Sequence, residues 1–224
     1  MIALTAAHVF SGTLAVLLGA LAALSRKGGA THIRAGKAFV ALMTVSSLLG
    51  AVMGLIKFEA FFITFFAGLL GAYLVVSGWL TFNTYKDFAP FVSKALTAVN
   101  ALTFLALMTL GLLALQRADA AMFGFAGENY LFLAAMSGVA LAGDLNRLIR
   151  NAGSRKHLVA MHLWRMLLGF FIAAGSAFTG PGASVFPERV QASGLLSLPE
   201  LMIFAIMIFY LVKIFVFSKT TSSR

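Results

Sequence analysis

Seven apolar runs of about twenty residues, divided by short turns carrying charges, Gly or Pro, leave this chain few possible folds. They extend approximately over Leu4–Leu24, Gly36–Ile56, Ala60–Phe82, Lys94–Leu115, Tyr130–Leu148, Leu158–Phe178 and Leu198–Phe217. A hydrocarbon slab about 30 Å thick is crossed by about 20 residues of helix. Backbone groups in lipid have no water to bond, so helix is the natural solution for such runs. The expected fold is an all-α integral membrane bundle of about seven transmembrane helices. It forms a single polytopic domain over residues 1–217, followed by a short tail over 218–224. The fifth run is the least apolar, because Asp144, Asn146 and Arg147 cluster at its end.

Composition excludes most alternatives. With 61% hydrophobic and 11% charged residues, the chain has too little polar surface to coat a water-soluble globule of 224 residues. Cysteine is absent, which removes disulfides, thiolate metal sites, a thiol nucleophile and thioether-attached haem. Ligation of a metal or haem would fall to His, Met or carboxylate. The net charge of +10 is split into short clusters between apolar runs, so it does not form a nucleic-acid-binding face.

Membrane orientation accounts for that charge. Arg26, Lys27, Arg34, Lys37, Lys86, Lys94, Arg147, Arg150, Arg155, Lys156, Arg165, Lys213, Lys219 and Arg224 fall on one side of a seven-helix arrangement. Only Lys57, Arg117 and Arg189 fall on the other. Basic residues accumulate on the cytoplasmic side, which predicts an external N-terminus and a cytoplasmic C-terminal tail. Glu59, Asp119, Glu128, Glu188 and Glu200 lie in the outer segments, leaving Asp87 and Asp144 inside. The first run lacks the basic start and cleavage site of a signal peptide, so it is expected to be retained. In the long sixth connection, Gly180-Pro181-Gly182 ends a helix, and Pro187-Glu188-Arg189-Val190 predicts an interfacial helical turn.

Ionisable groups are costly in apolar helices and therefore mark candidate chemistry. His32 opens the second helix, with Arg34 and Lys37 following. His162 lies in the sixth, with Arg165 at i+3 on nearly the same face, and Asp144 is near the inner end of the fifth. Were those helices neighbours, His32, Arg34, Asp144, His162 and Arg165 would form a cluster at the cytoplasmic membrane boundary. Two imidazoles on different helices can ligate a haem iron, and an Arg can pair with a propionate. The same groups could contact a quinone carbonyl or a headgroup phosphate, or exchange protons. A purely structural account is equally concrete: His32 and His157 snorkel to the interface, while Arg165 and Asp144 form an ion pair joining two helices.

Spacing narrows these options. His157 and His162 are separated by about 140° around a helix, which argues against a site on one helix. His8 enters the first helix from the opposite side, and no second outer histidine accompanies it, so a two-haem bis-histidine design is disfavoured. Lys213 lacks a carboxylate counter-ion in the third helix, as a retinal Schiff base would need. Small residues recur at packing spacing in Gly12 with Gly19, Ala67 with Gly71 and Gly169 with Ala173. Asn100 is either a transport-pathway contact or a bond to a neighbouring helix.

Three groups of segments resemble DUF2306-type predicted bacterial membrane proteins. The first is Gly12-Thr13-Leu14-Ala15 through Arg26-Lys27-Gly28-Gly29 and His32-Ile33-Arg34-Ala35-Gly36. The second is Tyr73-Leu74-Val75-Val76-Ser77-Gly78. The third is His162-Leu163-Trp164-Arg165-Met166 with Ala177-Phe178. The resemblance implies a multi-pass protein of the bacterial inner membrane, brings no activity with it, and adds weight to His32, Arg34, His162 and Arg165. An Arg usual after the Ser-Gly of the third helix is absent from Trp79 to Tyr85.

The leading functional expectation is a small membrane redox or cofactor-binding protein, for haem b or quinone. His32 and His162 are the candidate ligands, and metal ligands only if haem is bound; Arg165 is the anion partner, with Arg34 and Asp144 beside them. The rivals are a small-solute or proton-coupled transporter and a non-catalytic helper subunit packing in a larger membrane complex or homo-oligomer. No nucleic-acid partner is expected, and no complete catalytic motif is present.

Overall fold

The computed structural model describes residues 1–82, 89–150 and 154–217. Lys86, Asp87, Lys219, Arg224 and the proposed tail over 218–224 lie outside them. The described chain is almost wholly helical, in the order α1 (Ile2–Leu24), α2 (Ala30–Ile56), α3 (Phe58–Leu80), α4 (Ala89–Leu115), α5 (Gly127–Arg150), α6 (Arg155–Ala174), α7 (Glu188–Ala192) and α8 (Leu198–Val212). Six helical segments among the described residues are long and apolar enough to cross a membrane. The fold is therefore all-α and of membrane type. α5 is not one of the six, although its 24 residues give about 36 Å of helix.

Several helices begin before their apolar runs. α2 starts at Ala30 rather than Gly36, and α5 at Gly127 rather than Tyr130. Polar residues such as His32, Arg34 and Glu128 continue the helical hydrogen bonding beyond the apolar stretch, which hydropathy alone does not register. The predicted turn after Pro187 is present as α7.

A feature absent from the sequence reading joins α4 to α5. Ala121–Met122 (β1) and Phe125–Ala126 (β2) pair antiparallel, with Phe123 and Gly124 at the turn. Both turn residues have positive φ, 50° and 79°, as a tight two-residue hairpin requires. Glycine accepts this freely; Phe123 is held by edge-on packing against Phe58 and Phe62 at 5.0 and 4.8 Å.

α3 is the central element, packing against α2, α4, α5 and α6. One side of it contributes Phe66, Leu70 and Tyr73 to a core with Leu107, Tyr130 and Leu168. Val75 joins a second core with Phe39, Phe170, Ala174 and Met207. The small residues act at these seams. A Cβ on Gly68 would lie 2.9 Å from the Ala51 nitrogen, and one on Gly169 would lie 2.7 Å from Val75 Cγ1. In lipid, where apolar transfer gives helices little reason to associate, such close approach supplies the dispersion contacts that hold them.

Candidate functional site

The strongest polar feature begins with Asp144 on α5. The Arg165 guanidinium, from α6, pairs through Nη2 with Asp144 Oδ1. The Tyr73 hydroxyl, from α3, donates to Oδ2 at 2.6 Å. Thr97, from α4, is 2.8 Å from the same oxygen and 3.0 Å from the Ser93 carbonyl, so its single proton has two acceptors. One carboxylate thus ties four helices together. Arg165 and Asp144 are only 1% and 6% exposed.

The level of this junction follows from helical rise. Tyr73, Thr97, Asp144 and Arg165 lie six to ten residues from the adjacent ends of their helices, or about 9 to 15 Å. At that depth an unpaired charge is expensive, and the ion pair is held by several partners as burial demands. The guanidinium also faces the rings of Trp164 and Tyr73, at 5.3 and 5.6 Å from their centroids. Among the described residues its buried Nε has no hydrogen-bond partner.

The histidines form a second set. His32 Nδ1 is 2.9 Å from the Ala22 carbonyl of α1, and His162 Nδ1 is 3.0 Å from the Gly78 carbonyl of α3. A carbonyl only accepts, so in both rings Nδ1 carries a proton, and the neutral form of either ring has its lone pair on Nε2. His162 also packs edge-on against Phe82, with ring centroids 5.3 Å apart. Arg34 is exposed in the first two turns of α2.

The five residues expected as one cluster therefore divide. Asp144 and Arg165 form one bonded set, His32 and His162 each bond a different backbone carbonyl, and Arg34 stands at the surface. Among the described residues, no group of three or more His, Cys, Asp or Glu could hold a metal. His8 repeats the histidine arrangement elsewhere, with Nδ1 at 2.8 Å from the Ser46 carbonyl. Asn100 clamps α4 to α5: its Nδ2 donates to the Ser137 carbonyl at 3.1 Å, and Ser137 Oγ lies 2.8 Å from its Oδ1.

Sequence reasoning did not pick out Tyr73 and Thr97 as Asp144 partners, or the Gly78 carbonyl. A buried carboxylate signals that donors are needed, but many hydroxyls occur in these helices and only their rotation and neighbours select among them.

Fold and site define a membrane-type α-helical protein with a buried four-helix polar junction and, apart from it, two imidazoles each held by a backbone carbonyl. Compared with known family models, curated proteins and solved structures, the chain matches none.

Proposed function

We propose that this chain is a cofactor-binding protein of the bacterial inner membrane, with His32 and His162 as ligands to a haem-type iron. The observation that carries the proposal is the state of the two rings. Each comes from a different helix and is oriented by a backbone carbonyl at Nδ1, which leaves Nε2 as the nitrogen that can bind a metal in the neutral ring. Metal-binding imidazoles are commonly held this way, because the second hydrogen bond sets both tautomer and direction. A neutral nitrogen donor set suits haem b, which needs no cysteine.

Bound there, a haem would supply one-electron transfer. The chain's own part is to orient the imidazoles and to offer Arg34 at the same helix end as a cation for an anionic side group. Arg165 is already paired with Asp144, and its role in this proposal is to fix α6, which carries His162. Seven crossings with an external N-terminus complete the proposal, α5 being the seventh, and so does kinship with the DUF2306-type proteins. The depth of Asp144 within the bundle, and its pairing there, support α5 as a crossing.

The test is an absorption spectrum of detergent-purified protein from haem-replete cells, before and after dithionite, for wild type, His32→Ala and His162→Ala. A Soret band with sharpened reduced α and β bands, lost in both variants, supports the proposal. A featureless spectrum from folded wild-type protein overturns it and moves the weight to transport or to a helper role.

A further inference from the structure

At the end of the bundle that carries the α1–α2 turn, the Lys27 ammonium is held between two helices. It donates to the Ala23 carbonyl, one turn back on α1, and lies 5.0 Å from the centroid of the Tyr210 ring on α8. An ammonium has three N–H donors, so one bond to a carbonyl leaves it able to bind a further acceptor. Lys213 follows Tyr210 by three positions, on nearly the same side of the chain and one turn nearer its end. Its side chain is exposed.

This end of the bundle lacks a counter-charge of its own. Among the described residues, ion pairs join only Arg117 to Asp119 and Arg165 to Asp144, so no carboxylate neutralises Lys27. Asp144 is buried with its partner, and Glu59, Asp119, Glu128, Glu188 and Glu200 fall on turns and helix starts toward the opposite end. Burial against its neighbours holds the Lys27 ammonium below the ordinary lysine pKa. A cation partly withdrawn from water and left without a carboxylate gains from an anion supplied from outside the chain.

We propose that Lys27, Tyr210 and Lys213 form a site for the phosphate of an anionic phospholipid, whose acyl chains run along α1 and α8. The surroundings select a lipid over a soluble anion. Leu21 and Leu24 on α1, and Phe209 and Val212 on α8, lie within two turns of Lys27 or Lys213 along their helices and are exposed. The cations therefore stand where apolar helix surface gives way to charge. A phosphate joined to acyl chains uses both features, whereas a free phosphate uses only the cations.

Detergent-purified protein titrated with phosphatidylglycerol or phosphatidylcholine of identical chains, and followed by native mass spectrometry, counts bound lipid directly. Phosphatidylglycerol should bind saturably, its first equivalent at least about tenfold more tightly than phosphatidylcholine. Lys27→Gln should weaken that preference about fivefold or more, and Lys27→Gln combined with Lys213→Gln should remove it. Tyr210→Leu leaves every charge in place and should weaken it about two- to fivefold, by releasing the ammonium from the ring. Lys37→Gln, on an exposed face of α2 near the same end, should leave it unchanged.

Equal binding of the two lipids would overturn the proposal. A preference that survives Lys27→Gln or Tyr210→Leu, or that falls as far in Lys37→Gln, would also overturn it, because the attraction would then come from the diffuse charge of this face. Glycerol phosphate that displaces phosphatidylglycerol at the lipid's own concentration would show that the acyl chains add nothing, which overturns the choice of a lipid. Circular dichroism of each variant confirms that a lost preference is not a loss of fold.

Discussion

Arg165 pairs with Oδ1 of Asp144 and leaves Oδ2 to the hydroxyls of Tyr73 and Thr97. Each oxygen therefore faces different helices, and the charge of one residue organises the packing of four. Asp144→Leu and Arg165→Met should each destabilise the bundle by about 3–5 kcal/mol, because each leaves the other charge buried alone. The double variant should recover much of that loss. Reversible unfolding in mixed micelles measures all three; a double variant as unstable as the sum of the singles would contradict coupling.

The hydroxyl side of the junction should be weaker. Tyr73→Phe removes one donor from Oδ2 and should cost about 0.5–1.5 kcal/mol in the same assay. Thr97→Val should cost less, since the Thr97 proton is divided between Asp144 and the Ser93 carbonyl of its own helix. A larger loss for Thr97→Val than for Tyr73→Phe would reverse this ranking.

Two glycines should respond in opposite directions. A Cβ at Gly68 would meet backbone atoms of α2, which cannot swing aside, so Gly68→Ala should separate α2 from α3 and destabilise the fold. Gly36, within α2, has nothing within 4 Å of the corresponding position. There Gly36→Ala should stabilise by roughly 0.5–1 kcal/mol through the entropy of the unfolded chain. Equal effects at the two sites would show that close approach at Gly68 is not what holds the seam.

The number of crossings can be read chemically because the chain contains no cysteine. With α5 crossing, Arg117→Cys should react with a membrane-impermeant maleimide in intact cells, and Arg155→Cys only after lysis. Labelling of both from the same side would mean that α5 does not cross and that the proposed orientation fails beyond α4.

Much of this architecture is legible in the sequence because lipid permits so little. Apolar runs of sufficient length must become helices; the expected runs fall on α1–α6 and α8, and six helical segments among the described residues are long and apolar enough to cross a membrane. The ionisable candidates were legible for the same reason: Asp144, His162 and Arg165 stand out against apolar neighbours. The α4–α5 hairpin was not, since its turn depends on Phe123 taking a positive φ under the packing of Phe58 and Phe62, which are more than sixty positions away.

Helix identity and charge placement were thus determined locally, by the cost of bare backbone and unpaired charge in an apolar medium. Partnership was decided only by tertiary structure. Hydropathy says that Asp144 needs donors, but rotation and contact of α3, α4 and α6 chose Tyr73, Thr97 and Arg165. The same rotation turned His162 toward the Gly78 carbonyl and set Trp164 against the Arg165 guanidinium, because side chains two positions apart on a helix point in different directions.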